Sequence, residues 1–156
     1  MFKKLKKTQF LPQDKPVMVW DGECGFCKYW TTRWRNITKD NIAYIPYQEA
    51  KDHFRDIELI HFKQASRFID KEGRIYSGPQ SAYKTLSYNR NWAFLNNWYE
   101  NYSLFTNFSD QLYNLIAKNR GVFFKITKLL FGSDPKVVRP FWVIYLAIIM
   151  YFMYVW

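Results

Sequence analysis

The sequence predicts one mixed α/β domain that carries extra helices after its sheet and ends in a wholly apolar helix. Short β-rich runs alternate with stretches of helical periodicity over residues 17–131, and a chain of 156 residues has the length of one domain. An aromatic fraction of 21% favours a packed core and excludes a disordered chain. We therefore divide the chain into a basic segment (1–16), the α/β domain (17–131), a basic linker (132–139) and the apolar helix (140–156).

The predicted elements of the domain follow from local patterns. Val17–Trp20 is an apolar run typical of a buried strand, and residues 24–37 have helical spacing with Phe26, Trp30 and Trp34 on one face. Gly73 marks the turn of a β-hairpin. The remaining predictions are a strand over 42–47, a short helix over 48–60, hairpin arms at 66–70 and 74–76, a helix over 81–88, and two helical stretches within 91–131 that break near 119–121.

The only two cysteines, Cys24 and Cys27, lie in the first turn of the first predicted helix, and Asp21 precedes Cys24 by three residues. Backbone N–H groups and the dipole at a helix N-terminus stabilise a thiolate, and residues three apart share a helix face. The pattern predicts a redox-active pair, with Cys24 attacking and Cys27 resolving, rather than a structural or incidental pair. Asp21 is expected to accept the proton of Cys27, or to hold the Asp-Gly turn, and the two roles are compatible.

Residues beside the cysteines are the candidate substrate contacts. Gly22 and Gly25 let the loop bend and a substrate approach, or serve turn geometry alone, and Phe26 is the third candidate contact. Glu23 is expected to raise the pKa of Cys24, because a neighbouring negative charge opposes thiolate formation. We therefore predict a mildly reducing couple.

Positive charge is concentrated in two segments of this chain of net charge +10. Residues 1–16 carry five Lys against one Asp, and residues 117–139 carry four Lys and two Arg against one Asp. The first segment resembles the start of a signal peptide, but no apolar region follows it, so no signal peptide is predicted. Both basic segments are expected to attract anionic membrane lipids.

Residues 140–156 contain no charged residue and are apolar around the whole helix. They predict a C-terminal single-pass membrane anchor, and the adjacent basic stretch places the domain on the cytoplasmic side of the cell membrane. Seventeen residues reach only about 25 Å, slightly less than the roughly 30 Å of a hydrocarbon core. A buried core helix is therefore the alternative.

Four segments of the chain fit one family pattern in the same order. They are Val19-Trp-Asp-Gly-Glu-Cys-Gly-Phe-Cys27, Tyr44-Ile-Pro-Tyr-Gln48, Asp70-Lys-Glu-Gly-Arg-Ile-Tyr-Ser-Gly78 with Ala82, and Tyr113-Asn-Leu-Ile-Ala-Lys-Asn-Arg120. The first resembles the D-G-x-C-x-x-C signature of the DCC family of predicted thiol-disulfide oxidoreductases, and the resemblance covers about residues 17–131. It implies a thioredoxin-like fold, thiol-disulfide exchange, and functional roles for Asp21, Cys24 and Cys27.

One departure from thioredoxins concerns substrate binding. Thioredoxins carry a proline just before the strand that faces the C-x-x-C motif, where the backbone helps to bind the substrate chain. The matching region here, residues 62–66, contains no proline. A small-molecule disulfide or a dedicated protein disulfide is therefore an alternative to a peptide that pairs with this strand.

The resulting functional hypothesis is a membrane-tethered thiol-disulfide oxidoreductase that acts in the reducing direction on a disulfide-containing protein or a small thiol substrate. The alternative is a non-catalytic membrane adaptor, or an accessory subunit of a membrane-protein complex, whose cysteines are a redox sensor or a vestige. We expect no cofactor beyond the dithiol. No metal site is expected, because His53 and His61 lack zinc-ligand spacing, and no nucleic-acid partner is expected.

Overall fold

A four-stranded mixed sheet forms the centre of the computed structural model, which describes residues 2–137, 139 and 141–155. The strand order is β2-β1-β3-β4, with β1 parallel to β2 and β3 antiparallel to both of its neighbours. The strands are β1 (Val17–Trp20), β2 (Ala43–Pro46), β3 (Arg67–Ile69) and β4 (Ile75–Ser77). The mixed α/β class is confirmed.

Eight α-helices accompany the sheet in the described part of the chain. The stretch predicted as one helix after β2 is two helices, because the chain turns between them to bury Phe54 and Ile57. The region 91–131, predicted as two helical stretches, holds three helices, since Tyr102 is extended and the chain breaks again at Asn119. The helices are α1 (Gly25–Thr38), α2 (Tyr47–His53), α3 (Leu59–Gln64), α4 (Pro79–Leu86), α5 (Ala93–Asn101), α6 (Ser103–Lys118), α7 (Arg120–Phe131) and α8 (Phe141–Val155).

The two faces of β1 belong to different hydrophobic clusters, because successive side chains of a strand point to opposite sides. Val17 and Val19 belong to a buried cluster that α2 and α3 close with residues such as Phe62. Met18 lies on the other face, in a cluster with Phe68. This second face of β1 lies towards α1, and it leads along the strand to the cysteine loop.

The N-terminal segment packs along the hairpin. The backbone N–H of Ile75 donates to the Lys6 carbonyl at 2.9 Å, and that of Thr8 donates to the Gly73 carbonyl at 2.9 Å. The Lys4 ammonium lies 2.7 Å from the Asp110 carboxylate on α6. These contacts connect β4 to α6, which carries one wall of the candidate site.

The prediction of a membrane-spanning terminal helix is wrong. α8 has 15 residues, a length of about 22 Å at 1.5 Å per residue, against the roughly 30 Å of a bilayer core. Among the described residues, no helix combines the length and the apolar character that crossing a membrane requires. The C-terminal single-pass anchor, and the placement on the cytoplasmic side of a membrane that depended on it, are therefore not supported. The ends of the predicted span, residues 140 and 156, lie outside the described residues.

The alternative of a buried core helix does not describe α8 either. Its large apolar side chains are exposed along its length, and Tyr154 reaches an exposed fraction of 91%. Its main packing partner is α7. No Gly or Pro interrupts the helix, but the described structure does not enclose it.

Candidate functional site

The cysteine loop places Cys24 as the N-cap residue of α1. Its backbone is extended, with φ −85° and ψ 111°, and its Sγ accepts the backbone N–H of Cys27 at 3.3 Å. The Cys24 N–H donates in turn to the Asp21 carbonyl at 3.2 Å, which closes the turn after β1. A sulfur takes the place of the oxygen that usually caps a helix, so a negative charge on Cys24 lies at the positive end of α1.

The two thiols have opposite electrostatic environments. The pKa of Cys24 is lowered to about 6, chiefly by a hydrogen bond from the Cys27 thiol, with further contributions from the Cys27 N–H and Arg120 that outweigh burial. The pKa of Cys27 is raised, first by that same hydrogen bond, then by burial and by the charge of Cys24, and Asp21 adds to the rise. At neutral pH the pair therefore holds one thiolate, on Cys24, and one thiol proton, on Cys27.

The rise in the pKa of Cys24 that was expected from Glu23 does not decide the result, because the pKa of Cys24 falls, as its position at the helix start predicts. The Glu23 side chain is exposed, where solvent screens its charge. Three favourable contacts act on the sulfur over short distances: the Cys27 thiol, the Cys27 N–H and the Arg120 guanidinium. Contacts with hydrogen-bond donors thus outweigh a charge that is adjacent only in sequence.

Asp21 stabilises the loop and forms an ion pair. One carboxylate oxygen accepts the Glu23 N–H at 3.2 Å and the Gln48 amide at 3.4 Å, while the other lies 2.9 Å from Arg120 Nη1. The Gln48 carbonyl oxygen accepts the Gly22 N–H at 3.2 Å. The turn-holding role is thus visible in the geometry, and proton transfer by Asp21 remains a prediction.

Arg120 and Gln48 are site residues that the sequence reasoning did not identify. Arg120 begins α7 and reaches Asp21 across 99 positions of the chain, and its side chain is 26% exposed. It is also the cation that acts on both cysteine sulfurs. The only sequence signal for these two residues is that each ends a segment of the family pattern, 44–48 or 113–120.

The glycines of the loop permit close packing. A Cβ at Gly22 would lie 2.8 Å from the Pro46 side chain, and one at Gly25 would lie 3.0 Å from the Phe124 ring. Larger residues would push β2 or α7 away from the loop. Phe26 instead forms part of the wall of a cavity. Direct contact of Gly22, Gly25 and Phe26 with a substrate remains a prediction.

A cavity of about 610 Å³ lies behind the cysteine loop. Its walls come from β1, α1, α4, α6 and α7, and Cys27 is part of them. The predicted apolar face of α1, with Phe26, Trp30 and Trp34, lines one side of this space instead of packing into a filled core. The reacting pair therefore borders a space large enough for a small molecule.

Replacing Arg120 by Met is expected to raise the pKa of Cys24 by about one unit, the lower end of the effect of a nearby opposite charge. Iodoacetamide should then alkylate Cys24 about fourfold more slowly at pH 5, where the thiolate becomes scarcer. At pH 8 the reaction should be about twofold faster, since a thiolate of higher pKa is more nucleophilic.

The matched control is Lys128→Met, which removes another cation of α7, one that lies 4.1 Å from the centre of the Phe124 ring. Its pH profile should coincide with that of the unaltered protein. Coinciding profiles for Arg120→Met would show that Arg120 does not stabilise the thiolate.

Comparison with known proteins bears on the assignment of this site. The model of the DCC1-like thiol-disulfide oxidoreductase family matches residues 18–126 and so includes both cysteines and Arg120. Comparison with curated proteins and with solved structures found no match. The family match covers more than half of the chain, and the two cysteines lie together at the start of α1 as a C-x-x-C motif requires. The chain belongs to the DCC1-like thiol-disulfide oxidoreductase family.

Proposed function

We propose that the protein reduces disulfide substrates, with Cys24 as the attacking thiolate and Cys27 as the resolving thiol. The observation that carries this proposal is the unequal pair, in which the pKa of Cys24 falls to about 6 while that of Cys27 rises. The nucleophile of disulfide exchange is a thiolate, and with this pKa Cys24 is ionised at neutral pH and can attack.

The exchange proceeds in two balanced steps. The Cys24 thiolate attacks one sulfur of the substrate disulfide, forms a mixed disulfide and releases the first substrate thiolate. Cys27 then loses its proton and attacks Cys24, which forms the Cys24–Cys27 disulfide and releases the second thiolate. The protein gives up two electrons, and the substrate disulfide becomes two thiols.

The coupling between the two cysteines makes Cys27 a nucleophile only after the mixed disulfide has formed. The main causes that raise the pKa of Cys27 are its hydrogen bond to Cys24, burial and the charge of Cys24. Formation of the mixed disulfide removes the negative charge of Cys24, and two of these causes disappear with it. The pKa of Cys27 then falls, and Asp21, whose charge acts on Cys27 and which pairs with Arg120, is the proposed acceptor of its proton.

The proposed reducing direction is supported by the small size of the expected change in reduction potential. The nucleophilic cysteine of thioredoxin has a pKa of about 7, and that of Cys24 is about 6. The lower pKa stabilises the reduced form and therefore raises the reduction potential at pH 7 by about 20 mV, from about −270 mV in thioredoxin to about −250 mV. A glutathione pool at about −220 to −260 mV leaves much of such a pair oxidised, whereas a pool at about −280 to −320 mV keeps it mostly reduced. The pair can then reduce substrate disulfides of higher potential.

The test is the reduction potential, measured by equilibrating the purified protein with glutathione buffers and quantifying alkylated thiols. We expect about −250 mV, close to thioredoxin. A potential above about −150 mV, near that of the oxidant DsbA, would contradict the reducing direction. If the pair exchanges with no disulfide at all, the enzyme proposal fails and the adaptor alternative is favoured.

A further inference from the structure

The cavity behind the cysteine loop is nearly uncharged. Asp21 and Arg120 are the only charged residues in its described walls, and they neutralise each other as an ion pair of 2.9 Å. The rest of the wall is mainly apolar and aromatic, with residues such as Trp34, Phe123 and Leu130. An ionic group would lose its hydration here without gaining a free partner of opposite charge, whereas an apolar group would gain free energy by leaving water.

The backbone beside the cavity is closed to a peptide. Ser66, directly before β3, donates its N–H to the Tyr113 hydroxyl at 3.0 Å, and its carbonyl accepts the Gly78 N–H at 3.0 Å. Its own hydroxyl pairs with Ser81 at 2.8 Å and with Tyr113 at 3.1 Å. A substrate chain therefore finds neither a free donor nor a free acceptor on Ser66, which disfavours recognition by strand pairing.

From these observations we propose that the substrates are small-molecule disulfides with uncharged, largely apolar substituents, one of which binds in the cavity next to Cys27. The inference rests on the proposed disulfide exchange and adds its substrate class. With one substituent in the cavity, a sulfur of the substrate lies beside Cys24, whose Sγ is 3.3 Å from the Cys27 nitrogen. The Cys24 thiolate attacks that sulfur and expels the second substituent as a thiolate. Cys27 then releases the bound half, so two electrons pass to the substrate.

The experiment compares two disulfide probes. Dithiodipyridine is uncharged, while dithiobis(nitrobenzoate) is doubly anionic. Each second-order rate constant is divided by the rate of the same probe with mercaptoethanol, which removes intrinsic reactivity. We expect the protein to prefer the uncharged probe by about tenfold or more, because only that probe gains from apolar burial.

Filling the cavity should abolish this preference. Ala117→Phe on α6 and Ala82→Phe on α4 each place a ring in the cavity from a different wall. Both should reduce the normalised ratio to about one, while alkylation by the smaller iodoacetamide continues at the unaltered rate. Leu115→Phe is the matched control, since Leu115 lies on the same helix, is 52% exposed and is not part of the wall.

A ratio near one in the unaltered protein would overturn the inference, as would a preference that survives both Phe substitutions. If the variants fail to fold, two measurements on the unaltered protein still test the inference. The first is the ratio of the two rate constants. The second is the fluorescence of bound, uncharged N-phenylnaphthylamine, which apolar disulfides should displace and dithiobis(nitrobenzoate) should not. Failure of the proposed function gives a different result, namely no exchange with either probe.

Discussion

A Cys24→Ser variant is expected to lose disulfide exchange, by at least about a thousandfold, because a hydroxyl near neutral pH cannot replace the thiolate nucleophile. A Cys27→Ser variant should complete the first step and then stop, since no thiol remains to attack the mixed disulfide. The substrate should stay attached to Cys24. The difference between the two variants follows from the thiolate on Cys24 and the retained proton on Cys27.

The measurement is intact-protein mass spectrometry after incubation with an excess of disulfide. Cys27→Ser should gain one substituent mass that dithiothreitol removes, and Cys24→Ser should gain none. Each variant serves as the control for the other, because both change one sulfur to oxygen within the same loop. An adduct on Cys27 in the Cys24→Ser protein would reverse the assignment of the two roles.

The sequence was most informative where the interacting groups are close along the chain. Asp21, Cys24 and Cys27 meet because a strand, a tight turn and a helix start follow one another within a few residues. The hairpin between β3 and β4 was predicted for the same reason, since Gly73, with φ +78°, supplies a turn that a side chain would strain. Local backbone rules suffice for such features.

Features that depend on distant contacts were not predictable in this way. Arg120 meets Asp21 across 99 positions, so no periodicity or spacing connects them, and the contribution of Arg120 to the lowered pKa of Cys24 was missed. The apolar face of α1 was predicted and the aromatic fraction favoured a packed core, but patterning does not tell a filled interior from a lined cavity. α8 shows the same limit, because its composition predicted a helix and its length and exposure came only from the structure.

The pH profile of Cys24 should separate the two roles of Cys27, as hydrogen-bond donor and as resolving thiol. The hydrogen bond from the Cys27 thiol is the largest cause of the lowered pKa of Cys24. In Cys27→Ala this donor is absent, and we expect the pKa of Cys24 to rise from about 6 towards the free-cysteine value of about 8.5. Cys27→Ser keeps an O–H donor and should keep the pKa within about one unit of 6.

Alkylation by iodoacetamide measures this difference directly, because each variant has a single thiol. A higher pKa leaves less thiolate at low pH, so Cys27→Ala should be the slower variant there. At pH 6 we expect it to react about tenfold more slowly than Cys27→Ser, after allowance for the greater nucleophilicity of its thiolate. Above about pH 9 both thiols are ionised, and Cys27→Ala should be the faster variant. If both variants titrate with midpoints near pH 6, the backbone N–H of residue 27 and Arg120 stabilise the Cys24 thiolate without a side-chain donor. Two midpoints near 8.5 would mean that only a sulfur at this position stabilises the thiolate, and the hydroxyl of Ser cannot replace it.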